Sequence, residues 1–196
     1  MGEDAPLTKK ELRHAMLKKR REMTDEECAL ASKMICGTFL ACDEYKKASS
    51  ILLYKAYDNE ADTDLIFERA LADGKTVAYP AARTDCGYEL IFYKVSSLSQ
   101  LHPGFKGIME PDAGSSDGLF SGTADVCITP GAVFDRSCHR IGYGMAFYDR
   151  FLRSLRPRSV IGLAYDFQVV RGFEAEETDE SVDMVITESG IYTAHE

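Results

Sequence analysis

The run RIGYGMAFYDRFL, which begins at Arg140, brings a cation, two glycines and a carboxylate together within a few residues. Gly142 and Gly144 permit backbone angles that other residues resist, and they let a ligand approach the main chain closely. A helix starting just after them turns free N–H groups and the positive end of its dipole toward an anion such as phosphate. Arg140 could add a guanidinium fork to phosphate oxygens. Asp149, in the first turns of that helix, offers a hard oxygen ligand for magnesium. It could equally complement the helix dipole or pair with Arg153, four residues on. The glycine pattern alone admits both a phosphate cradle and a simple turn. The dinucleotide fingerprint would want glycine where Phe147 stands, and the Walker pattern is absent.

Other polar residues are ambiguous one at a time. Glu60 sits in a loop, KAYDNEADT, that follows an apolar run. Lys9 and Arg13 lie one helical turn apart, which suits a phosphate or mere solubility. The acidic stretch from Glu174 to Asp183 offers oxygen ligands for a hard cation or is a solvated loop. The basic run from Lys18 to Arg21 reads as a solvated face. His14, His102 and His195 have no partners at recognisable spacing. The six cysteines (Cys28, Cys36, Cys42, Cys86, Cys127, Cys138) form no CxxC pair and no zinc-like set, which reads as reduced thiols in a cytoplasmic protein. Cys138-His139 alone supports neither a metal site nor a nucleophile.

The balance of 23 basic against 32 acidic residues, net −9, opposes generic binding to nucleic acid or an anionic membrane. It leaves room for a small phosphate-bearing ligand, which needs only a few placed cations. No apolar run is long enough to span a bilayer, and MGEDAPLTKKELR lacks the apolar core of a secretory signal. With 196 residues and 45% apolar content, a single domain over residues 1–196, acting as a monomer, is expected.

The elements that must position these groups follow from capping and periodicity. TKKE and TDEE are capping boxes, pairing Thr8 with Glu11 and Thr24 with Glu27, so two helices open the chain. The first runs to about Glu22 with Leu12, Met16 and Leu17 inward. The second carries Cys28, Ala31, Met34, Ile35, Phe39 and Cys42 at helical spacing. A buried strand from Ser49 to Tyr54 precedes a helix that starts at Asp62 or Thr63 and stops at Gly74. KTVAYP, ended by Pro80, and YELIFYKV read as strands, and LHPGFKGIMEPDAGSSDG as mostly loop. The segment from Pro111 to Thr123 is the one plausible hinge. ADVCITPG, SVIGLAY and VDMVITE are further strands. The helix after the glycine block packs through Phe147, Phe151, Leu152 and Leu155, shows Arg150, Arg153 and Arg156 to solvent, and stops at Pro157. Strands alternating with helices imply an α/β layer structure with a largely parallel or mixed central sheet flanked by helices. Ligands then bind in the loops at the carboxyl ends of the strands, where Glu60 and the glycine block lie.

Taken in order, KKELR, YKAYDNEADT, GIMEP, TPGAVFD…RIGYGMAFYDRFL and IGLAYDFQ…EAEETDESVDMVITE resemble the blocks of the 5-formyltetrahydrofolate cyclo-ligase (methenyltetrahydrofolate synthetase) family, from Lys9 to about Glu188. The resemblance implies a three-layer fold of the broad sugar-isomerase and CoA-transferase-like class. It implies conversion of 5-formyltetrahydrofolate to 5,10-methenyltetrahydrofolate with ATP and magnesium, releasing ADP and phosphate. By resemblance, Lys9, Arg13, Arg140 and the backbone of Gly142, Tyr143, Gly144, Met145, Ala146, Phe147 and Tyr148 hold ATP, with Arg140 and Asp149 at the reacting phosphate. Asp149 and Asp179 serve magnesium. Glu60 accepts hydrogen bonds from the amino-pyrimidine edge of the folate, and Lys55, Tyr143 and Phe147 enclose the rest. The chain departs from the family pattern at Met145 and Ala146, where a lysine and a third glycine are usual. Cys138 also replaces a usual glycine, Glu174 a common proline, and Thr178 a polar ring or amide. A catalytically weakened relative that binds folate or nucleotide without turnover is the alternative reading.

Overall fold

In the computed structural model, which describes residues 7–85, 87–112 and 118–194, both capping boxes form as the sequence predicts. Thr8 caps α1 (Lys9–Arg21) and Thr24 caps α2 (Asp25–Ala41), each hydroxyl taking an N–H while Glu11 or Glu27 reaches back. A short α3 (Asp43–Lys47), which the sequence pattern did not mark, leads into β1 (Ser50–Leu52). The next helix is α4 (Asp64–Ala72). Asp62 supports its start by accepting the Asp64 N–H at 2.8 Å, while the Thr63 hydroxyl donates instead to the Tyr54 carbonyl.

β2 (Thr76–Arg83) and β3 (Glu89–Lys94) form an antiparallel pair. Pro80 was expected to end β2, yet the strand continues through it. β1 stops opposite Ala78, so Pro80 has a ladder partner, Phe92, on one side only, and its missing N–H breaks no central pairing. The segment read as loop contains a small hairpin, β4 (Leu101–Pro103) with β5 (Met109–Pro111). β6 (Val126–Thr129) is followed by β7 (Val133–Asp135) and β8 (Arg140–Ile141). After α5 (Phe147–Ser154) come β9 (Ser159–Leu163), β10 (Val169–Val170), β11 (Met184–Ile186) and β12 (Ile191–Thr193). His195 and Cys86, and part of the expected hinge, lie outside the described residues.

Among the described residues the main sheet has the order β12-β11-β9-β6-β1-β2-β3. Its interior pairs are parallel and only the two edge strands run antiparallel, so the sheet is mixed. Alternation along the strands builds the layers. Ile51, Val77, Val126, Ile128 and Ile161 face α2 and α4 through Ile35, Phe39, Ile66 and Phe67. Their neighbours Leu52, Ala78, Cys127 and Val160 face α5 through Phe151 and Leu152. Each such large side chain stabilises the fold by about 1.5–3 kcal/mol. Two side chains assigned inward are not buried: Met34 is 48% exposed and Leu155 is 44% exposed. Met34 falls on the outer flank of α2, and Leu155 lies just past the last helical turn.

A second sheet, β10-β7-β8, stands at the carboxyl end of the main one, and Leu12 of α1 packs on it with Ala132, Val133 and Ile141. This contact seats α1 against the glycine block. No helix among the described residues is long and apolar enough to cross a membrane.

Two departures from the family pattern fall where backbone geometry asks for glycine. Cys138 has φ 64° and Ala146, the residue before α5, has φ 51°. A left-handed conformation costs an L-residue about 1–2 kcal/mol, against about 0.5–1 kcal/mol of extra chain entropy lost by glycine. Ala146→Gly is therefore expected to raise stability by about 0.5–1 kcal/mol in urea unfolding. A loss of stability would show that the Ala146 methyl is held by compensating contacts.

Candidate active site

A cavity of about 450 Å³ lies where α1, the loop after β1, the β4–β5 hairpin and the glycine block converge. Such a volume suits a small-molecule ligand. Lys9, Arg13, Lys55, Glu60, Arg140, the run from Gly142 to Tyr148, Asp149 and Asp179 all line it. The structure thus brings every site residue named from the sequence to one cavity. A larger depression of about 730 Å³ flanks β2 and β3, but it opens toward Pro111, Asp112 and Gly118, beside residues outside the description, and it gathers no comparable set of charges.

Arg140, in β8, is almost wholly buried, and its Nη2 donates to Asp149 Oδ1 at 2.8 Å. Asp149 also accepts the Glu180 N–H at 3.3 Å. The pairing of Asp149 with Arg153 that spacing allowed does not form. Arg153 instead meets Thr178 and Glu180, because the chain from β10 to β11 wraps past the outer face of α5. A Cβ at Gly142 would lie 2.8 Å from Arg140 Nη1, so a side chain there would make the end of the guanidinium shift. Gly144 has φ 91°, which favours glycine outright. α5 has no side-chain cap, so the N–H groups of its first turn are not taken up by a capping oxygen.

α1 supplies further cations. Arg13 Nε donates to the Gly142 carbonyl at 2.7 Å, which ties the glycine block to the helix. Lys9 donates to Asp179 and lies 3.2 Å from Glu176. Partial burial pulls the Lys9 ammonium pKa down, but the hydrogen bonds to Asp179 and Glu176 outweigh it and the pKa is raised. Burial pushes the Asp179 carboxyl up, yet Lys9 and the Glu176 N–H hold it below its ordinary value. Both groups stay charged across the neutral range.

The other end of the cavity is built on Glu60. Its loop is held by the Tyr54 hydroxyl donating to the Ala61 carbonyl at 2.6 Å and the Thr63 hydroxyl donating to the Tyr54 carbonyl at 2.7 Å. Glu60 Oε2 accepts the Tyr57 N–H at 3.0 Å, and Oε1 accepts the Tyr143 hydroxyl. Burial raises the Glu60 pKa, opposed by Arg20 and the Tyr143 hydrogen bond. Lys55 pairs with Asp64 at the start of α4. Phe147 forms an aromatic wall, with ring centroids 5.8 Å from Phe105 and 5.7 Å from Tyr88. Met145 stands where a family lysine is usual, and its carbonyl accepts Arg150 Nη2 at 2.6 Å.

The sequence missed several groups. Arg20, read as part of a solvated run, is fully enclosed behind Glu60 and Tyr143. The signal was its place in the row Leu12, Met16, Arg20, which is the inward side of α1. Glu110, in the GIMEP block, lines the cavity and accepts the Ala82 N–H at 3.2 Å, and its pKa is raised by burial. The Cys138-His139 pair takes no part: the Cys138 thiol faces the Tyr192 carbonyl and is pushed up to about 11 by burial, while His139 pairs with Asp135. No cluster of three metal-ligating side chains occurs among the described residues.

The sequence profile of the 5-formyltetrahydrofolate cyclo-ligase family matches residues 6–188. The chain is 28% identical over 176 residues to the 5-formyltetrahydrofolate cyclo-ligase of Escherichia coli (strain K12), covering 89% of this chain and 97% of that protein. Its fold is similar to that of Aquifex aeolicus 5,10-methenyltetrahydrofolate synthetase, with TM-score 0.79 and 28% identity over 97% of this chain and 94% of the other. The Mycoplasma pneumoniae 5,10-methenyltetrahydrofolate synthetase gives a TM-score of 0.71 and 25% identity over 93% of this chain and 99% of the other. The match runs through both charged ends of the cavity and nearly the full chain, and on that ground the protein belongs to the 5-formyltetrahydrofolate cyclo-ligase family.

Proposed function

We propose that the protein converts 5-formyltetrahydrofolate to 5,10-methenyltetrahydrofolate, using ATP with magnesium and releasing ADP and phosphate. The observation that carries this reading is the division of one cavity into an end where Lys9, Arg13 and Arg140 surround the glycine block with Asp149 and Asp179 beside them, and an end with a buried acceptor at Glu60. Such a cavity suits a polyphosphate at one end and a heterocycle with N–H donors at the other.

A formamide carbonyl carbon is a weak electrophile, and its oxygen leaves poorly. Transfer of the γ-phosphoryl group to that oxygen supplies a leaving group and makes the carbon iminium-like. The neighbouring folate nitrogen then attacks that carbon and gives up its proton, the C–O bond breaks, and inorganic phosphate departs with the oxygen and takes the proton up. No enzyme nucleophile is needed, so positioning and charge neutralisation carry the acceleration. Arg140 and Arg13 hold phosphate oxygens beside the free amides at the start of α5. Glu60 orients the amino-pyrimidine edge, and Phe147 packs on an aromatic ring.

The donor set fits magnesium. Asp149 and Asp179 are two hard carboxylates on one wall, and magnesium in nucleotide sites takes one or two carboxylates with phosphates and waters rather than a full protein cage. When bound, the ion neutralises charge on the transferring phosphoryl group. Asp149 and Asp179 would hold it, releasing Arg140 and Lys9 toward phosphate.

The growth of methenyl-folate absorbance on mixing protein, ATP, magnesium and 5-formyltetrahydrofolate tests the reaction directly. Flat traces beside an active control, with folate or nucleotide still bound in calorimetry, would replace it with the weakened-relative reading, for which Met145 in place of a lysine is the motivating observation. Asp149→Asn is expected to lower turnover at least about 100-fold while folate affinity stays within a few-fold. Equal loss of both would remove Asp149 from the metal role. Glu60→Gln keeps the shape of the side chain and removes its charge. It is expected to weaken folate binding about ten- to hundredfold with little change in ATP affinity, as read by calorimetry.

A further inference from the structure

Arg20 is fully buried, and none of the steps above uses it. Its Nε donates to the Asp58 carbonyl at 2.8 Å, and Nη2 donates to the Tyr143 hydroxyl at 2.5 Å. Nη1 has no hydrogen-bond partner and faces Glu60 Oε1 from 4.0 Å. A buried guanidinium with an unmade bond is costly and needs a reason. The surrounding turn is itself strained: Asp58 and Asn59 both have positive φ, at 52° and 58°. Asn59 Nδ2 donates to the carbonyls of Arg20 and Met23, both at 3.2 Å, so the turn is fastened to the end of α1 around this one side chain.

We propose that Arg20 is a positioning residue for the folate end of the cavity, the fixed countercharge that keeps Glu60 anionic and aimed when ligand displaces the Tyr143 hydroxyl. The proposal rests on the reading of Glu60 as the folate acceptor. Glu60 is satisfied here by the Tyr57 N–H and by Tyr143, a residue that lines the cavity. A ligand N–H arriving at Oε1 competes with the Tyr143 hydroxyl for that oxygen. The displaced tyrosine no longer supports the buried charge, and Nη1 of Arg20 is the cation already facing that oxygen. Arg20 does not line the cavity, so it acts through Glu60 and not on the ligand.

The sign of the pH effect follows. The groups facing Glu60 are Arg20 of α1, Asp58 of the turn, Tyr54 at the end of β1, and Tyr143 and Tyr148 of the glycine block. Burial raises the Glu60 pKa and Asp58 adds to that, while Arg20 is the main opposing charge. Folate capture needs the anion, which exists above the Glu60 pKa. Without Arg20 that pKa climbs, and the acid limb of kcat/KM for folate moves to higher pH.

Arg20→Met and Arg20→Lys, assayed against both substrates across pH, test this. Arg20→Met is expected to raise the KM for 5-formyltetrahydrofolate about tenfold or more and to leave the KM for ATP within about twofold. Its acid limb should move up by about one pH unit, and Arg20→Lys should restore part of both effects. In a Glu60→Gln background, Arg20→Met should cost no further folate affinity. Equal losses for both substrates with an unmoved acid limb would overturn the proposal, leaving Arg20 a purely structural residue. If Arg20→Met fails to fold, the acid limb of the neutral, polar variant Arg20→Gln decides: a move to higher pH upholds the role and no move ends it. Should Glu60→Gln leave folate affinity unchanged, the reading of Glu60 itself fails. Should Glu60→Gln weaken folate while Arg20→Met does not, only the positioning role fails.

Discussion

Arg140 meets Asp149 beneath the glycine block at 2.8 Å, and the geometry of the cavity depends on that contact. Both side chains are largely withdrawn from water, so each requires the other. The pair joins β8 to the first turn of α5, fixes where the helix starts, and leaves little room for a side chain at Gly142. The same rule recurs around the cavity: Lys9 is matched to Asp179 and Arg20 to Glu60 and Asp58. Of the cations expected to meet phosphate, Lys9 and Arg140 are balanced by carboxylates that the proposed reaction directs at magnesium, while Arg13 donates to the Gly142 carbonyl. Charges buried in this way must be satisfied before substrate arrives, and self-pairing is the available means. On the proposed reaction the partners would exchange, Arg140 and Lys9 turning to phosphate while Asp149 and Asp179 would hold a divalent ion. Little net charge then has to be desolvated on binding.

The layered fold was legible because its signals are local or periodic. The capping boxes of Thr8 and Thr24 formed as written, and the alternating strands put adjacent residues on opposite faces of the sheet. What escaped the sequence was short or decided by tertiary context. β7, β8 and β10 are two or three residues long, too brief for periodicity to register. Pro80 lies inside a strand only because β1 ends early on that side, which no local pattern reveals. At the site, the residues carried by ordered motifs line one cavity. Arg20 was missed because an arginine in a basic run is normally solvated, and only the tertiary contact with the Glu60 loop makes it otherwise.

The departures from the family pattern have a shared structural character. Cys138 and Ala146 each occupy a left-handed conformation, so glycine at these positions answers a backbone requirement that this chain meets with strain. Cys138 is secured by the Val182 N–H donating to its carbonyl at 2.9 Å and by full burial of its side chain. Ala146 is secured by α5, whose Arg150 N–H donates to its carbonyl at 3.1 Å. Met145 differs in kind, since it removes a cation and not a backbone freedom. The strain at Ala146 therefore bears on stability, whereas Met145 bears on affinity for phosphate.

Thiols in the core and phenols at the cavity are held protonated by burial, which favours chemistry by placement over chemistry by a protein nucleophile. Burial pushes the Cys36 thiol up to about 12 and the Cys138 thiol up to about 11, and it raises Cys127 further. A thiol acts through its thiolate, so none of these is poised to attack. Burial raises the phenols of Tyr143 and Tyr148 as well, which leaves them as hydrogen-bond donors and not as bases. Lys9, with its pKa raised, and Asp179, with its pKa lowered, stay charged at neutral pH. A site equipped in this way is suited to hold two reactants in line and to spread the charge of a phosphoryl group in transit, which is what activating a formamide oxygen requires.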